Sequence, residues 1–345
     1  MSFDTPEALE QLSQTDPALT QYFLDNGLPA SPTQDEVGNF LASAAANQTT
    51  VADDSMVIDI PMRDGYSSQI RVHKPKNCTE HRSPLVVLMH AGGFLTGNNA
   101  QLSSIARALV ALYSATVLSI SYRLAPAHPF PAAAHDAWDS ISWAAIHSHT
   151  LGADPDAGFV IAGGSAGANL AAVVTQKAVN EKLSPPPTGA WLSVPLLLDD
   201  SIVPEEHRHL WLSRKQNPDA LFLNNASLEA LFASYKPDVR SPEFSPFNAP
   251  DAHEAMPPTY IEVCGGDPLR DDGMVYERML RDHGVETLLE VYPGVPHGFV
   301  ALPGFEPARK AFVDGLRGFG KLLGINKTEE ELEAVVPDGI LYSLT

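Results

Sequence analysis

The chain is poor in cysteine, poor in positive charge and without a long apolar run, and each shortage removes a class of protein. Cys78 and Cys264 are its two cysteines, too few for a disulfide framework, so two free thiols in a reducing compartment are expected. Against 42 Asp and Glu it sets 22 Lys and Arg, a formal net charge of −20. Binding phosphate needs clustered cations, so no nucleic acid is expected as a partner, and anionic membrane surfaces are disfavoured. No apolar run approaches the length of a membrane span. The acidic start, Met1-Ser2-Phe3-Asp4-Thr5-Pro6-Glu7, has neither a basic nor an apolar signal region, so the expectation is a cytoplasmic protein without secretory export. Sequons such as Asn77-Cys78-Thr79 are then chance matches. His147-Ser148-His149 and His207-Arg208-His209 bring no third ligand and no neighbouring cysteine, so neither a metal nor a cofactor is expected. There is no internal repeat, and 345 residues suffice for one large domain with a big core.

What is present is an alternation of strand-like and helix-like segments. Val57 to Met62 and Gln69 to Lys74 alternate apolar and polar around Asp64-Gly65 and read as a leading antiparallel hairpin. Buried strands follow at Leu85 to Met89, Thr116 to Ser121, Phe159 to Ala162, Ala190 to Val194, Thr259 to Cys264 and Thr287 to Tyr292. Helices fit at Gln101 to Leu112, Ala132 to His147, Ala166 to Glu181, Asp272 to His283 and Pro307 to Leu323. Strands alternating with helices imply an α/β fold with a mainly parallel sheet covered on both faces.

One turn in this pattern carries chemistry. Gly163-Gly164-Ser165-Ala166-Gly167 lies between a strand-like and a helix-like run, where a G-x-S-x-G forces the serine onto a sharp turn above the sheet. The helix N-terminus then directs free N–H groups at an oxygen that turns anionic. The plain alternative is a small-residue turn packing a helix on a strand, so the rest of the chain has to decide. A serine nucleophile needs a base, and the base needs an acid to hold its tautomer. Asp267 and His297 each follow a strand-like segment, and the order Ser165, Asp267, His297 is that of α/β-hydrolases. Loops beyond the carboxyl ends of parallel strands share one rim, where such distant residues can meet. Asp271 is a rival acid; Asp267 is preferred because it lies nearer the strand end and Asp271 can serve the helix dipole. After Leu85 to Met89 comes His90-Ala91-Gly92-Gly93-Phe94, a glycine-rich loop suited to close approach by main chain. Gly92 and Gly93 are assigned there as oxyanion donors, with Ala166 as the donor on the serine turn. His90 is expected to brace that loop rather than act as a base.

Five blocks, His90-Ala91-Gly92-Gly93-Phe94, Tyr122-Arg123-Leu124-Ala125-Pro126, Gly163 to Gly167, Asp267-Pro268-Leu269-Arg270-Asp271 and His297-Gly298-Phe299, together resemble the hormone-sensitive-lipase family of α/β-hydrolase esterases over about residues 55 to 323. The resemblance implies an α/β-hydrolase fold with a helical cap, and a serine carboxylesterase acting on short- to medium-chain or small-molecule esters. By position it makes Ser165 the nucleophile, Asp267 the acid, His297 the base, and Gly92, Gly93 and Ala166 the oxyanion hole. Ala91 stands where the family's loop begins its glycines, which bears on the loop's shape. Gly164 and Ala168 also depart from the common pattern without removing a catalytic group. An exposed edge strand at the far end of such a sheet offers a pairing surface, and dimers are common among similar enzymes, so a homodimer is one expected assembly.

Two stretches fall outside the sheet pattern. Residues 1–50 hold Asp16-Pro17, a helix start, and Thr33-Gln34-Asp35-Glu36, which fits a capping box. Residues 199–250 hold Leu228, Leu231, Phe232 and Tyr235 at helical spacing. The expected division is therefore an N-terminal helical cap segment (1–50), a first core part (51–198), a cap insertion (199–250), a second core part (251–323) and an acidic C-terminal tail (324–345). Phe94, Trp211, Phe222, Phe232 and Tyr235 are candidate substrate contacts from the cap side, where they would exclude water from the serine, although such a stripe is more often ordinary packing. Two other functions use the same parts: a biosynthetic thioesterase, lactone-forming or cyclising enzyme, and a non-catalytic small-ligand receptor. Retention of Ser165, Asp267 and His297 together argues against the receptor.

Overall fold

In the computed structural model, which describes residues 3–46, 54–76 and 82–337, eight strands form one sheet. They are β1 (Met56–Pro61), β2 (Ser67–His73), β3 (Leu85–Met89), β4 (Thr116–Ile120), β5 (Phe159–Gly164), β6 (Gly189–Ser193), β7 (Thr259–Cys264) and β8 (Thr287–Tyr292), in the spatial order β1-β2-β4-β3-β5-β6-β7-β8. β2 runs antiparallel to both β1 and β4, and every pairing from β4 to β8 is parallel. The residues dictate this division. β2 alternates buried and exposed positions over its first half, as a strand with one wet face does. β3 and β4 are buried at every position, which requires the continuous Val, Leu and Ile content of a strand covered on both sides. All eight strands expected from the sequence are present.

Among the described residues eleven α-helices accompany them: α1 (Pro6–Leu12), α2 (Pro17–Asp25), α3 (Gln34–Ala46), α4 (Ser103–Tyr113), α5 (Ala132–His147), α6 (Ala166–Asn180), α7 (Ser213–Gln216), α8 (Asn225–Tyr235), α9 (Arg270–Asp282), α10 (Glu306–Leu322) and α11 (Glu329–Glu333). Side chains of a strand alternate between faces, so β3 divides its run between two apolar layers. Leu85, Val87 and Met89 join Ile141 of α5, Leu170 of α6 and Val275 of α9 in one layer. Val86 and Leu88 join Leu109 of α4 and Phe312 of α10 in the other.

The N-terminal helices start where the sequence indicates. Asp16 accepts from Ala18 N at 2.8 Å, with Pro17 in the first helical position. Thr33 and Glu36 exchange bonds, Thr33 N to Glu36 Oε2 at 2.8 Å and Glu36 N to Thr33 Oγ1 at 3.3 Å. α1, within the N-terminal segment read as helical, is seven residues long, started by Thr5 and Pro6, and it buries Leu9 and Leu12. Its C-terminal turn is tied to the loops that follow β7 and β8. Leu12 O accepts from Gly294 N at 2.8 Å, and Asp16 N donates to Gly294 O at 3.0 Å. Arg270, fully buried, donates through Nη1 to Leu9 O at 2.9 Å and to Ser13 Oγ at 2.8 Å.

At the other end, α11 opens with a capping box between Thr328 and Glu331 and buries Leu332 against the α10 layer, while Glu329 and Glu333 pair with Arg317 and Arg309. Asp136 ties down the segment after β4: it accepts from Arg123 N at 2.8 Å and from the Arg123 guanidinium at 2.7 Å. Cys264 is a buried free thiol, and burial holds it well above the usual thiol range. Cys78 and the Asn77-Cys78-Thr79 sequon lie outside the described residues. Among those described, no helix is long and apolar enough to cross a membrane.

Candidate active site

Ser165 sits between the end of β5 and the start of α6 with φ 53° and ψ −116°, a backbone state that costs on the order of 1–3 kcal/mol and persists only where its surroundings impose it. The imposition is visible. Ser165 N donates to Ser193 O at the end of β6 at 2.8 Å, and Ser165 O accepts from Asn169 N at 3.0 Å. The flanking glycines are required by contact. A Cβ on Gly163 would lie 2.2 Å from Gly167 O, and one on Gly167 would lie 2.2 Å from Met89 O. The tight strand-to-helix turn thus presses α6 against both β5 and β3, leaving the serine side chain above the sheet edge.

Two loops bring partners to it. His297, on the loop after β8, places Nε2 2.9 Å from Ser165 Oγ and Nδ1 2.7 Å from Asp267 Oδ2. Asp267, on the loop after β7, is fully buried, and its Oδ1 accepts from Leu269 N at 2.8 Å. The two loops hold each other through Gly266 N to Val295 O at 3.0 Å. A hydroxyl at this distance from an imidazole nitrogen can pass its proton there, provided the other nitrogen carries the hydrogen, and a carboxylate on that other nitrogen favours this tautomer. Asp271, the rival acid, is occupied elsewhere. Its Oδ2 accepts from Leu212 N and Ser213 N, each at 2.6 Å, and its Oδ1 accepts from Arg270 Nε at 2.7 Å. Asp271 thus anchors the start of α7 to α9 and makes no contact with His297.

On the loop after β3, Gly92 and Gly93 have φ 115° and 60°, and Ala166 is the first residue of α6, where an N–H has no partner within its own helix. Ala91 is not among the residues of positive φ, so the alanine at the loop's first position introduces no backbone strain. His90 braces the loop: its ring stacks on Tyr122 at 4.0 Å, and Tyr122 Oη donates to His90 O at 2.8 Å. Burial lowers the His90 imidazole to about 4, which keeps it neutral and apart from proton transfer.

Ser165 and His297 line a small cavity of about 80 Å³ whose other walls include Leu102, Trp191, Ser193, Glu262, Tyr292 and Phe299. The five rings expected from the cap side are not among the residues that line this cavity. Phe94 is fully buried and stacks on Tyr235 at 4.0 Å. Trp211 is held by its Nε1 donating to Asp272 at 2.9 Å, and Phe232 meets Phe244 edge-on at 5.8 Å. Phe222 comes nearest, with ring carbons 3.1–3.3 Å from where a Cβ on Gly298 would stand. The stripe on α8 is mostly ordinary packing, because Leu228, Leu231 and Tyr235 are all buried. Leu231, not counted among the candidates, reaches to 2.9 Å of a Cβ position on Gly93 and so covers the glycine loop. The cavity walls were legible in part: alternation along β6, β7 and β8 puts Trp191, Glu262 and Tyr292 on matching positions, but only the fold shows that this face opens to the serine.

Burial pushes the Glu262 carboxyl up to about 7 from its ordinary 4.5, against the pull of hydrogen bonds from Ser193 and Tyr260. A carboxyl whose folded value is raised keeps a proton that the unfolded chain has released. Its stability contribution is therefore intact below about pH 4.5, falls as pH rises to about 7, and is lost above. Glu262→Gln should remove that decline. Between pH 5 and pH 8 the variant should lose about 3 kcal/mol less unfolding free energy than the parent, measured by urea titration; equal losses in the two proteins would contradict the assignment.

A family model described as alpha/beta hydrolase fold matches residues 86–301. An AB hydrolase superfamily protein of Schizosaccharomyces pombe is 36% identical over 282 residues, 81% of this chain and 83% of its own. Esterase LipI of Mycobacterium tuberculosis is 34% identical over 259 residues, 73% of this chain and 77% of its own. Among solved structures, that of vibralactone cyclase aligns with a TM-score of 0.80 at 28% identity, covering 91% of this chain and 96% of its own.

Proposed function

The chain belongs to the hormone-sensitive-lipase family of α/β-hydrolase esterases, and from that premise we propose that it is a serine carboxylesterase hydrolysing short- to medium-chain or small-molecule esters through an acyl-enzyme. The observation that carries the reading is the hydrogen-bonded chain from Ser165 Oγ through His297 to Asp267, at 2.9 and 2.7 Å. His297 takes the serine proton as Oγ attacks the ester carbonyl. The N–H groups of Gly92, Gly93 and Ala166 hold the oxyanion, a contact stronger in the transition state than in the substrate. His297 then gives its proton to the leaving alcohol and later activates water against the acyl-enzyme, while Asp267 keeps the imidazole oriented.

In the same proposal, residues 1–50 and 199–250 form the cap over a core made of residues 51–198 and 251–323. Leu231 resting against Gly93 and the N-terminal turn bonded to Gly294 support that division. The narrow cavity of about 80 Å³ beside Ser165 supports small substrates over long acyl chains. A homodimer paired through an edge strand completes the picture; β1 and β8 are the two edges.

A second reading is intramolecular acyl transfer, in which a hydroxyl of the substrate's own acyl group replaces water and a lactone is released. The likeness to vibralactone cyclase favours it. One experiment separates the two. p-Nitrophenyl esters of rising acyl length, assayed beside a serine-directed phosphonate, should show turnover highest at short to medium chains and abolished by labelling of Ser165. Labelling without ester turnover would move the assignment to acyl transfer, and absence of both would remove the serine mechanism.

A further inference from the structure

The reaction above gives Glu262 no part, yet this carboxyl is 4% exposed and forms a wall of the cavity that Ser165 and His297 share. β7, Thr-Tyr-Ile-Glu-Val-Cys, holds no other carboxyl, and all six positions are buried. A carboxyl in such a place is costly unless it is partnered. Its partners are hydroxyls: Tyr260 Oη donates to Oε2 at 3.3 Å, a long bond, and the Ser193 side chain provides the other. The charges acting on it, Asp314 and Glu290, are negative, and among the described residues it has no cationic partner. A merely structural role is served by any apolar side chain of similar volume; an acid here calls for a ligand.

The sheet register fixes the reach. Gly164 pairs with Ser193, and Ser193 pairs with Glu262, so Glu262 stands two strand spacings, about 10 Å, from the residue next to the serine. Between them the cavity is walled by Leu102, Trp191, Tyr292 and Phe299, which suit an apolar linker. Taking the esterase reading as its basis, we propose that this cavity binds a hydroxyl-bearing arm of the ester substrate, with the Glu262 carboxyl as the hydrogen-bond partner of that hydroxyl some 5–6 bonds from the scissile carbonyl. A hydroxyl both donates and accepts. A carboxyl that holds its proton up to about pH 7 offers both functions in return, whereas a carboxylate-bearing arm would meet like charge.

The test compares isosteric ester pairs at pH 7: p-nitrophenyl 6-hydroxyhexanoate against heptanoate, for an arm on the acyl side, and 4-hydroxybutyl acetate against pentyl acetate, for an arm on the alcohol side. Parent, Glu262→Gln and Glu262→Leu proteins are titrated with phosphonate, so that only folded, labelled enzyme is counted. In the parent, kcat/KM should favour the hydroxyl member of one pair by roughly tenfold or more, because a polar site rejects the analogue that leaves it unpaired. Glu262→Gln should keep part of that preference, and Glu262→Leu should reverse it. Equal ratios in the parent and Glu262→Leu, with p-nitrophenyl butyrate still hydrolysed, would overturn the role of Glu262 and leave the esterase standing. A parent preference for p-nitrophenyl 6-ammoniohexanoate over the hydroxy ester would overturn the hydroxyl assignment. Failure of the parent to hydrolyse even butyrate would remove both.

Discussion

Ser165→Ala should lower kcat toward p-nitrophenyl butyrate on the order of 10⁶-fold, the scale on which removal of the serine alone disables other serine hydrolases. The loss is expected to be purely chemical. Ser165 already occupies φ 53°, and alanine meets the same backbone cost there, so the fold has little reason to change. The turn is held by backbone contacts, Ser165 N to Ser193 O and Asn169 N to Ser165 O, and by the close approach of Gly163 to Gly167, none of which needs the hydroxyl. Thermal unfolding should accordingly stay within a few degrees of the parent while phosphonate labelling disappears. The remaining activity would come from Gly92, Gly93 and Ala166 polarising the carbonyl, which stabilises the transition state without supplying a nucleophile. Retention of a tenth of the parent rate would mean that another group attacks the ester.

The clarity with which different parts of this molecule could be read beforehand follows from the range of the forces involved. Phe159 to Ala162, Gly163 to Gly167 and the helix after them form one contiguous stretch, so local propensity, glycine placement and function all point the same way there. Asp267 and His297 were legible because each follows a strand whose neighbours are apolar and β-branched or aromatic, and parallel strands deliver their loops to one rim. Short elements behave differently. α1 has only about two turns and gains its stability from Leu9, Leu12 and the buried Arg270, contacts that local periodicity does not report. The aromatic candidates were harder to place for a related reason. Periodicity shows which face of α8 is apolar, but it cannot show whether that face meets a ligand or the protein's own core. Trp211 is bound by Asp272, 61 residues away in the chain, and Phe94 is matched to Tyr235; these are pairings made only by the tertiary fold. Glu262 carried a readable signal, the lone carboxyl of its strand, whose meaning depended on β6 and β8 bringing Trp191 and Tyr292 beside it.

Asp267→Asn and Asp271→Asn, four residues apart in sequence, should have opposite effects. Asp267 Oδ2 holds His297 Nδ1 at 2.7 Å while Oδ1 takes the Leu269 N–H at 2.8 Å. An asparagine keeps the amide bond with its oxygen and turns its NH₂ toward the imidazole. The ring then accepts at Nδ1 and carries its hydrogen on Nε2, where it faces Ser165 and can no longer receive the serine proton. A loss of kcat on the order of 10⁴-fold is expected with the geometry intact, as in other triads altered this way. Asp271→Asn leaves His297 untouched but removes the charge that Arg270 needs. Arg270 is fully buried, and Asp271 holds it from Nε and Nη2 at 2.7 and 3.1 Å while taking the Leu212 and Ser213 N–H groups. Breaking a buried pair by neutralising one member costs about 3–5 kcal/mol. Asp271→Asn should therefore unfold at markedly lower urea, yet turn over at near the parent kcat per phosphonate-titrated serine. If the rate loss followed Asp271 and the stability loss followed Asp267, the acid of the site would have to be reassigned.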